Sequence, residues 1–348
     1  MPETVNPAFL APDLSVVIVT FNGQAKALAT LRSALDATRA IDAEWIVVDS
    51  GSSDGTPDAI EREFPEVRVV RSENRGFAAG NNVGLGIARG RYVLLMNPDI
   101  EIASGSLGAL VGAMDDRPHV GLASVIQRAP DGNLQPSIRR FPSVVRDLGE
   151  ALFAAHWPIF TTLQELETRP QEYDREHSVD WMVGAFLIAR RDAVETVGPM
   201  DDGFFLYSEE VDWCYRFRDA GWDVRHLPTM TIVHHAGRRD RGDLMAQLAY
   251  SRRRFAHKHF GPVKSRLVRA ALVLGHLVRM AAMVPVAVRR ASGRERLRAE
   301  SRALAVQLGL AGPPFRPAGA SLPSLQSTGD DHPAPVASAS LEQSGVHG

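Results

Sequence analysis

The chain has 348 residues, of which 45% are hydrophobic and 23% are charged. This composition is ordinary for a globular protein, long enough for one large α/β domain or two small ones, and it excludes collagen-like, coiled-coil and wholly disordered chains. The single cysteine, Cys214, excludes a disulfide framework and a multi-cysteine metal site, and it suits a reducing compartment. The first residues lack the basic and apolar regions of a signal peptide, so we expect none.

Charge is distributed unevenly along the chain, although the net charge is only −2. Residues 1–237 hold 21 Lys and Arg against 34 Asp and Glu, whereas residues 238–302 hold 17 against 4. An acidic body followed by a basic segment predicts a soluble unit that rests on an anionic surface. Nucleic acid is the rival surface, but the basic segment is aliphatic and lacks interleaved aromatic residues that stack on bases, so we expect no nucleic-acid binding.

Strands and helices alternate over the first 125 residues. Apolar runs predict buried strands, helical spacing of apolar residues fills the intervals, and a helix start is indicated at Thr56 by the capping pattern Thr-Pro-Asp. The predicted strands are 14–19, 45–48, 67–70, 91–96 and 120–125, and the other helices are 24–40, 77–88 and 107–114. This order predicts an α/β fold with a mostly parallel, doubly wound sheet.

The second part of the chain has a less regular pattern. Residues 130–178 are predicted to be partly irregular, 179–189 to form a strand, 204–220 an amphipathic helix and 223–233 two short strands. Basic helices are predicted at 244–260 and 263–290. From residue 311 the chain is rich in Pro, Ala, Ser and Gly, which is typical of disorder.

Polar residues follow three of the buried strands, where an open parallel sheet binds its ligands. They are Thr20-Phe21-Asn22, Asp49-Ser50-Gly51-Ser52 and Asn97-Pro98-Asp99. Each alone is an ordinary turn sequence, but three at one sheet edge favour a ligand site, with Asp99 placed to hold a divalent cation. The chain has neither a G-x-G-x-x-G dinucleotide motif nor a P-loop, so those two phosphate-binding folds are disfavoured.

Six segments in this order resemble an inverting family 2 glycosyltransferase. They are VVIVTFN, VVDSGSSDGT, ENRGFAAGNNVG, YVLLMNPD, FFLYSEEVDWCYR and IVHH, and the resemblance covers about residues 14–260. The segments PDGNLQPSIRRFPS and WMVGAFLIARRDAVETVGPMDDGFF and the basic C-terminal helices resemble the bacterial rhamnosyltransferase branch.

The resemblance implies a GT-A fold and a division of the chain. It implies a nucleotide-sugar-binding half (13–127) and an acceptor-binding half (128–260). Charge and composition complete the division with an N-terminal tail (1–12), basic amphipathic helices (261–305) and a disordered tail (306–348). The resemblance also implies donor contacts from one set of residues, namely Thr20, Asn22, Asp49, Ser52, Asp54, Asn74, Gly76, Asn82 and Asn97.

The resemblance places a divalent ion, Mg²⁺ or Mn²⁺, at Asp99 with a histidine. His234 is preferred over His235 as that ligand, and a buried structural histidine is the alternative. Asn97 replaces the first carboxylate of the family's D-x-D motif, so modest metal affinity is expected.

On the acceptor side, the resemblance makes Glu210 the general base. Glu209 and Asp212 lie beside it and are predicted to bind the acceptor. Carboxylates crowded together also raise one another's proton affinity. Without the resemblance, these carboxylates would be interpreted as a solvated helix face. Arg139 and Arg140 are candidates to clamp an acceptor diphosphate, since guanidinium groups pair bidentately with phosphate. A solvated arginine pair is the alternative.

The sequence therefore predicts a glycosyltransferase that moves L-rhamnose from dTDP-rhamnose to a cell-wall or polysaccharide acceptor, for example one linked to polyprenyl diphosphate. The alternatives are the same fold with a UDP-sugar donor, a nucleotidyltransferase, and a non-catalytic nucleotide-sugar-binding protein.

The apolar stretch 270–288 has the length of a membrane span but contains His276, Arg279 and Pro285. We expect a helix lying on the cytoplasmic face of the membrane, with a true span or a helix packed in the protein or in a homodimer as alternatives.

Overall fold

A nine-stranded mixed sheet forms the centre of the computed structural model, which describes residues 11–38, 40–152, 164–235 and 241–315. The strands are β1 Leu14–Thr20, β2 Ala43–Asp49, β3 Arg68–Arg71, β4 Tyr92–Met96, β5 Ile100–Ser104, β6 Val120–Arg128, β7 Ile138–Arg139, β8 His177–Ser178, β9 Trp181–Met182, β10 Phe186–Arg190 and β11 Asp223–His234. The helices are α1 Gln24–Asp36, α2 Thr56–Glu63, α3 Phe77–Ile87, α4 Leu107–Asp115, α5 Val144–Ala151, α6 Arg191–Val197, α7 Glu209–Asp219, α8 Arg241–His259, α9 Pro262–Arg289 and α10 Ala291–Leu308.

The first four strands of the sheet, β3-β2-β1-β4, are parallel, which confirms the predicted fold class. All residues of β1 and β4 are buried because helices cover both faces, as their uninterrupted apolar sequences require. Helix α3 packs closely on β1 through glycines: a Cβ at Gly84 would lie 2.2 Å from Val17 Cγ1. The carboxyl ends of these strands consequently meet at one edge.

Strands from the second part of the chain complete the same sheet. Strand β10 lies antiparallel between β4 and β6, and β11 runs parallel to β6 and antiparallel to β5. The pairing of β11 with β5 sets His234 opposite Ile100, which brings the end of β11 to the Asn97-Pro98-Asp99 loop. All described residues belong to one compact unit.

Several predicted elements differ from those in the structure. The predicted strand 179–189 is two strands, β9 and β10, separated at Val183–Ala185, and the two strands predicted within 223–233 are one strand with bulges. The helix predicted from 204 begins only at Glu209, because Phe205, Tyr207 and Ser208 have positive φ angles that an α-helix excludes. Strand β5 and helix α6 were not predicted.

The C-terminal helices pack on one another and on α5. Their mutual contacts bury Val268 and Ala271 of α9 and Ala303 and Val306 of α10. Helix α10 continues to Leu308 and ends at Gly309 (φ 77°), so the disordered tail predicted from 306 begins too early. Residues 316–348 of that predicted tail, and residues 1–10 of the predicted N-terminal tail, lie outside the described residues.

Candidate active site

The loops after β1 and β2 are joined through Asn22. Its backbone N–H donates to the Ser52 hydroxyl at 2.8 Å, and its Oδ1 accepts from the Ser53 backbone N–H at 2.8 Å. Asn22 has a φ of 48°, a left-handed conformation that asparagine tolerates better than most residues. Asp49 Oδ2 accepts from the Ser52 backbone N–H at 2.9 Å. Three of the predicted donor contacts thus share one hydrogen-bonded turn at the sheet edge.

Two buried oxygens at this edge have no hydrogen-bond partner among the described residues. They are Thr20 Oγ1 and Asp49 Oδ1, in side chains that are almost fully buried. Buried polar groups are ordinarily hydrogen-bonded, so open atoms at a sheet edge indicate where a ligand or water binds. A hydroxyl and a carboxylate together offer the donor and acceptors that a base or ribose needs.

Asp54 and Asn82 are engaged by the protein itself. Asp54 Oδ1 accepts from the Thr56 hydroxyl at 2.5 Å, and its Oδ2 accepts from the Gln24 backbone N–H at 3.2 Å. The hydrogen bond from Thr56 holds the pKa of Asp54 below its usual value. The Asn82 side chain exchanges two hydrogen bonds with the Met200 backbone, at 2.8 and 2.9 Å. These contacts give both residues a structural role, and direct donor contact stays a prediction.

Asn74 and Gly76 shape the entry to α3. Asn74 Oδ1 accepts from the Gly76 backbone N–H at 3.2 Å. Gly76 has a φ of 99°, and a Cβ there would lie 2.3 Å from the Phe205 carbonyl oxygen, so only glycine fits. The neighbouring Phe77 N–H donates to the same carbonyl at 2.7 Å. The predicted donor loop therefore docks against the segment that leads into Glu209 and Glu210.

Asp99 is the centre of a small charged cluster. Its Oδ2 lies 3.1 Å from Lys26 Nζ, and its Oδ1 lies 3.3 Å from His234 Nε2. Burial by itself would raise the pKa of Asp99, but the hydrogen bonds and charges of His234 and Lys26 hold that pKa below its usual value. Asp99 is consequently an anion at neutral pH.

The two histidines at the end of β11 face different groups. His234 is largely buried against Asp99, whereas the His235 ring contacts the exposed Glu101 at 3.2 Å. The His235 backbone N–H donates to the Asp99 carbonyl at 2.9 Å, which fastens β11 to the loop. The geometry thus supports the preference for His234 as a partner of Asp99, and its role as a metal ligand stays a prediction.

The residues around Asp99 fit a divalent ion that has only two or three protein ligands. Within the described ranges no group of three or more His, Cys, Asp or Glu side chains is arranged to hold a metal. Asp99 and His234 nevertheless lie side by side, and the buried Asn97 Oδ1 has no partner among the described residues. Mg²⁺ and Mn²⁺ accept such oxygen-rich sites when substrate phosphates and water complete the shell.

Glu209 and Glu210 open helix α7, where Glu209 is buried and Glu210 is partly buried. Burial, then the charge of Glu210, raises the pKa of Glu209 well above its usual value. Burial also raises the pKa of Glu210, against the opposing charge of Arg139. The Oε2 atom of each is buried without a partner among the described residues. A carboxylate with a raised pKa and an open oxygen is suited to accept a proton.

Residues 183–185, between β9 and β10, lie between Glu210 and the Asn97-Pro98-Asp99 loop. A Cβ at Gly184 would lie 3.3 Å from Glu210 Cβ, so glycine at this position lets the helix start approach the sheet. The next residue, Ala185, accepts from the Asn97 backbone N–H at 2.8 Å. The predicted base and the Asn97-Pro98-Asp99 loop therefore flank the same two residues.

The segment before Glu209 is conformationally strained. Phe205, Tyr207 and Ser208 have φ values of 62°, 68° and 64°. Non-glycine residues adopt such angles only when the surrounding structure imposes them, and they cluster at functional sites. These three residues stand directly before the first turn of α7, which lies against Gly184.

Asp212 joins two helices, so the structure does not bring its carboxylate to the acceptor side. It is fully buried and accepts hydrogen bonds from Arg216 at 2.9 Å and from Lys258 and His259 at 2.7 Å. Burial opposes ionisation, but these partners lower the pKa of Asp212 to about 2. Its carboxylate fastens α7 to α8.

Arg139 and Arg140 differ in their surroundings. Arg139 Nη1 lies 3.2 Å from Glu165, its guanidinium is 5.3 Å from the centre of the Trp181 ring, and its Nε has no partner among the described residues. Arg140 instead pairs with the buried Glu167 at 2.7 Å and donates to the Gln164 carbonyl at 3.3 Å. Arg139 remains a candidate for acceptor binding, whereas the contacts of Arg140 are structural.

Sequence reasoning missed three participants in this site. Lys26 lies in the first turn of α1, directly after a predicted ligand loop, so its position was a usable signal. Gly184 stands in the middle of an apolar run without a local signal. Arg252 of α8 contacts Glu165, the partner of Arg139, from 87 residues away, and only the folded chain shows this.

Comparison with known proteins places this geometry in a family. Residues 15–198 match the family model Glycosyl transferase family 2. The chain is 31% identical over 225 residues to the N-acetylglucosaminyl-diphospho-decaprenol L-rhamnosyltransferase of Mycobacterium tuberculosis, covering 59% of this chain and 70% of that one. It is 23% identical over 169 residues to the rhamnosyltransferase WbbL of Escherichia coli, covering 46% and 61%.

Solved structures agree with the fold. The mannosyltransferase PcManGT of Pyrobaculum calidifontis, in complex with GDP-Man and Mn²⁺, superimposes with a TM-score of 0.53 at 18% identity, covering 88% of this chain and 90% of that one. GalNAc-T7 with UDP, GalNAc and Mn²⁺ gives a TM-score of 0.51 at 15% identity, covering 76% and 55%. The fold is GT-A, as the sequence predicted.

Proposed function

This chain belongs to glycosyl transferase family 2, and on that premise we propose that it transfers L-rhamnose from dTDP-rhamnose to a polyprenyl diphosphate-linked glycan with inversion at the anomeric carbon. Membership of the family makes it a glycosyltransferase rather than a non-catalytic binding protein. The donor, the acceptor and the inversion are the proposed parts. They are supported by the rhamnosyltransferases among its relatives.

Glu210 is the observation that carries the mechanism. Its side chain is partly buried at the start of α7, its buried Oε2 is without a partner among the described residues, and burial raises its pKa. Asp212 of the same helix differs, because both of its carboxylate oxygens are paired with side chains of the protein. Glu209 shares an unpartnered oxygen and a raised pKa, and the family resemblance selects Glu210 of the two as the base that takes a proton from an acceptor hydroxyl.

The reaction that fits this geometry is a single displacement. Glu210 accepts the hydroxyl proton as the acceptor oxygen attacks the anomeric carbon, and the bond from that carbon to the diphosphate oxygen breaks on the opposite side. One new C–O bond forms, one is lost, and the nucleoside diphosphate leaves. A nucleotidyltransferase would attack phosphorus instead and would need no base on the acceptor side.

The nucleoside diphosphate is proposed to bind along the carboxyl edge of the parallel strands. Thr20 and Asp49 offer open hydrogen-bonding atoms for the base or ribose, and Asn22 and Ser52 hold the turn in shape. Asp99 and His234 are the residues that would hold a divalent ion, which when bound supplies positive charge beside the departing diphosphate. Both glycosyltransferase structures named above contain Mn²⁺.

A donor panel tests the proposed substrates. The protein is incubated with a short-chain polyprenyl diphosphate-GlcNAc and dTDP-L-rhamnose, UDP-glucose or GDP-mannose, and the product is identified by mass spectrometry. The anomeric configuration of the product is then read by NMR. We expect a rhamnosylated, inverted product from dTDP-rhamnose. Transfer only from the UDP-sugar would replace the donor assignment, and a retained configuration would exclude the single displacement.

We also propose that helix α9 lies on an anionic membrane surface at the cytoplasmic face. Eight of its exposed apolar residues recur at alternating intervals of four and three, namely Val263, Leu267, Ala270, Leu274, Leu277, Ala281, Val284 and Val288. The adjoining helix α5 adds an exposed apolar face through Val145, Leu148 and Leu152. Basic residues stand at both ends of α9, and Pro262–Arg289 contains no acidic residue.

Two rival arrangements of α9 follow from the same pattern. Within the described ranges, α9 is the one helix that is long and apolar enough to cross a membrane. Its inner face, however, packs on the rest of the fold, and there His276 and Arg279 form hydrogen bonds with Glu300 of α10. Regular four-and-three spacing also suits pairing with a second α9, but the basic ends would repel each other in such a dimer. An anionic surface satisfies both the apolar stripe and the basic ends.

Vesicle flotation separates these arrangements. Wild-type protein should float with phosphatidylglycerol vesicles and not with phosphatidylcholine vesicles, and salt should weaken the binding because it screens surface charge within about 8–10 Å. Leu274→Glu with Leu277→Glu should abolish flotation, while Leu310→Glu, an exposed site beyond α10, should not. Salt-resistant binding that only detergent reverses would indicate a span, and dimerisation without flotation would indicate a paired α9.

A further inference from the structure

Lys26 contacts the predicted metal ligand directly. Its ammonium donates to Asp99 Oδ2 at 3.1 Å and to the His235 carbonyl oxygen at 2.9 Å. The other Asp99 oxygen faces His234. In this arrangement every oxygen of the loop's single carboxylate already has a positively charged or polar neighbour.

The position of Lys26 is unfavourable for its own helix. It is the third residue of α1, and the N-terminal turn of a helix carries partial positive charge that disfavours cations. The ion pair with Asp99 compensates for this unfavourable interaction with the helix end. The position of Lys26 is therefore explained by the site and not by helix stability. Its side chain is 47% exposed, which leaves the ammonium free to be displaced.

Charge at the site makes ion binding conditional. Because Asn97 is neutral, Asp99 is the only carboxylate of its loop, and Lys26 balances it. A divalent ion that approaches Asp99 would meet an ammonium within a few ångströms and a site with no net negative charge. The negative charge of a nucleoside diphosphate would remove that disadvantage.

We propose that Lys26 is the resident counter-cation of Asp99 and that it makes tight binding of a divalent ion depend on the donor diphosphate. The free protein then binds the ion weakly, and the ion and the diphosphate strengthen each other's binding reciprocally. This inference rests on the proposed metal role of Asp99.

Titration with Mn²⁺, followed by the electron paramagnetic resonance signal of the free ion, tests the inference without any turnover. The proteins compared are wild type, Lys26→Met, Lys26→Arg and Asp99→Asn, each with and without dTDP. Lys264→Met is the matched control, because Lys264 of α9 contacts the Phe260 ring and not Asp99.

Lys26→Met should raise the Mn²⁺ affinity of the nucleotide-free protein about tenfold, because a nearby like charge is removed. It should also shrink the gain that dTDP produces in the wild type. Lys26→Arg and Lys264→Met should behave as wild type, since both keep a cation beside Asp99. Unchanged or weaker Mn²⁺ binding by Lys26→Met, together with loss of binding by Asp99→Asn, would overturn the role of Lys26 and leave the metal site standing. Unaltered Mn²⁺ binding by Asp99→Asn would overturn both.

Discussion

Asp99 and Glu210 are carboxylates in opposite surroundings. Asp99, at the carboxyl edge of the parallel strands, has Lys26 beside one oxygen and His234 beside the other. Glu210, at the start of α7, keeps one buried oxygen without a partner among the described residues. The interactions with His234 and Lys26 lower the pKa of Asp99 despite its burial, whereas burial raises the pKa of Glu210.

The contrast assigns each carboxylate a different role. A group held as an anion among cations is suited to bind positive charge, and a group destabilised as an anion is suited to bind a proton. The sheet brings the two together through residues 183–185, which contact Glu210 on one side and Asn97 on the other. In the reaction proposed above, one half of the fold receives the leaving group and the other activates the acceptor.

The largest expected effect comes from Glu210→Gln, which keeps the side-chain shape and removes the base. We expect kcat to fall about 10²–10⁴-fold, the usual contribution of general base catalysis, while dTDP affinity measured by calorimetry stays close to wild type. Because the pKa of Glu210 is raised by folding, its ionised form costs stability as the pH rises. The variant should therefore be at least as stable as wild type in thermal unfolding at pH 8.

Asp219→Asn is the control for that experiment, because Asp219 ends the same helix and is exposed. It should leave both kcat and stability near wild type. Wild-type turnover by Glu210→Gln would show that the base is another residue and would remove the contrast with Asp99.

Asp99→Asn tests the other member of the pair. With Asn97 already neutral, the loop then has no carboxylate, and the response of turnover to Mg²⁺ or Mn²⁺ should disappear. We expect kcat/KM at saturating metal to fall about 10²-fold, because stabilisation of a leaving diphosphate by an ion supplies several kcal/mol. Titrating activity with metal in the variant and in Glu101→Gln, a nearby exposed carboxylate that contacts His235, measures this. An unchanged metal response in Asp99→Asn would place the ion elsewhere.

The sequence was sufficient for the nucleotide half because its signals are local. Buried parallel strands are continuous apolar runs, and ligand residues follow them directly, so Thr20, Asp49 and Asp99 could be placed at one edge before the structure was known. The Asn22–Ser52 and Asp99–His234 contacts then follow from strand order and from the pairing of β11 with β5.

The acceptor half was less predictable because its contacts join distant segments. The true start of α7 depends on positive φ angles at Phe205, Tyr207 and Ser208, which no propensity indicates in those residue types. Asp212 belongs to the same acidic run as Glu210, yet its carboxylate forms ion pairs with Lys258 and His259, some 47 residues away, and so joins α7 to α8. Residue type and spacing cannot distinguish two such carboxylates, whereas burial and partners can.

The smallest effect is expected from Arg139→Gln, which directly tests the difference in pKa between Asp99 and Glu210. Arg139 is the positive charge that moderates Glu210, and it lowers the pKa that burial raises. Removing that charge leaves Glu210 in surroundings even less like those of Asp99, so its pKa should rise and the acid limb of kcat/KM should move to higher pH. Plateau kcat should change by about fivefold or less, because the interaction of a partly exposed charge such as that of Arg139 is worth about 1 kcal/mol. Arg139→Lys should restore the position of the limb. The pH profile separates this effect from lost acceptor binding, because lost binding would raise KM at every pH and leave the acid limb of kcat/KM unchanged. An acid limb that moved to lower pH would mean that Glu210 is not the titrating group.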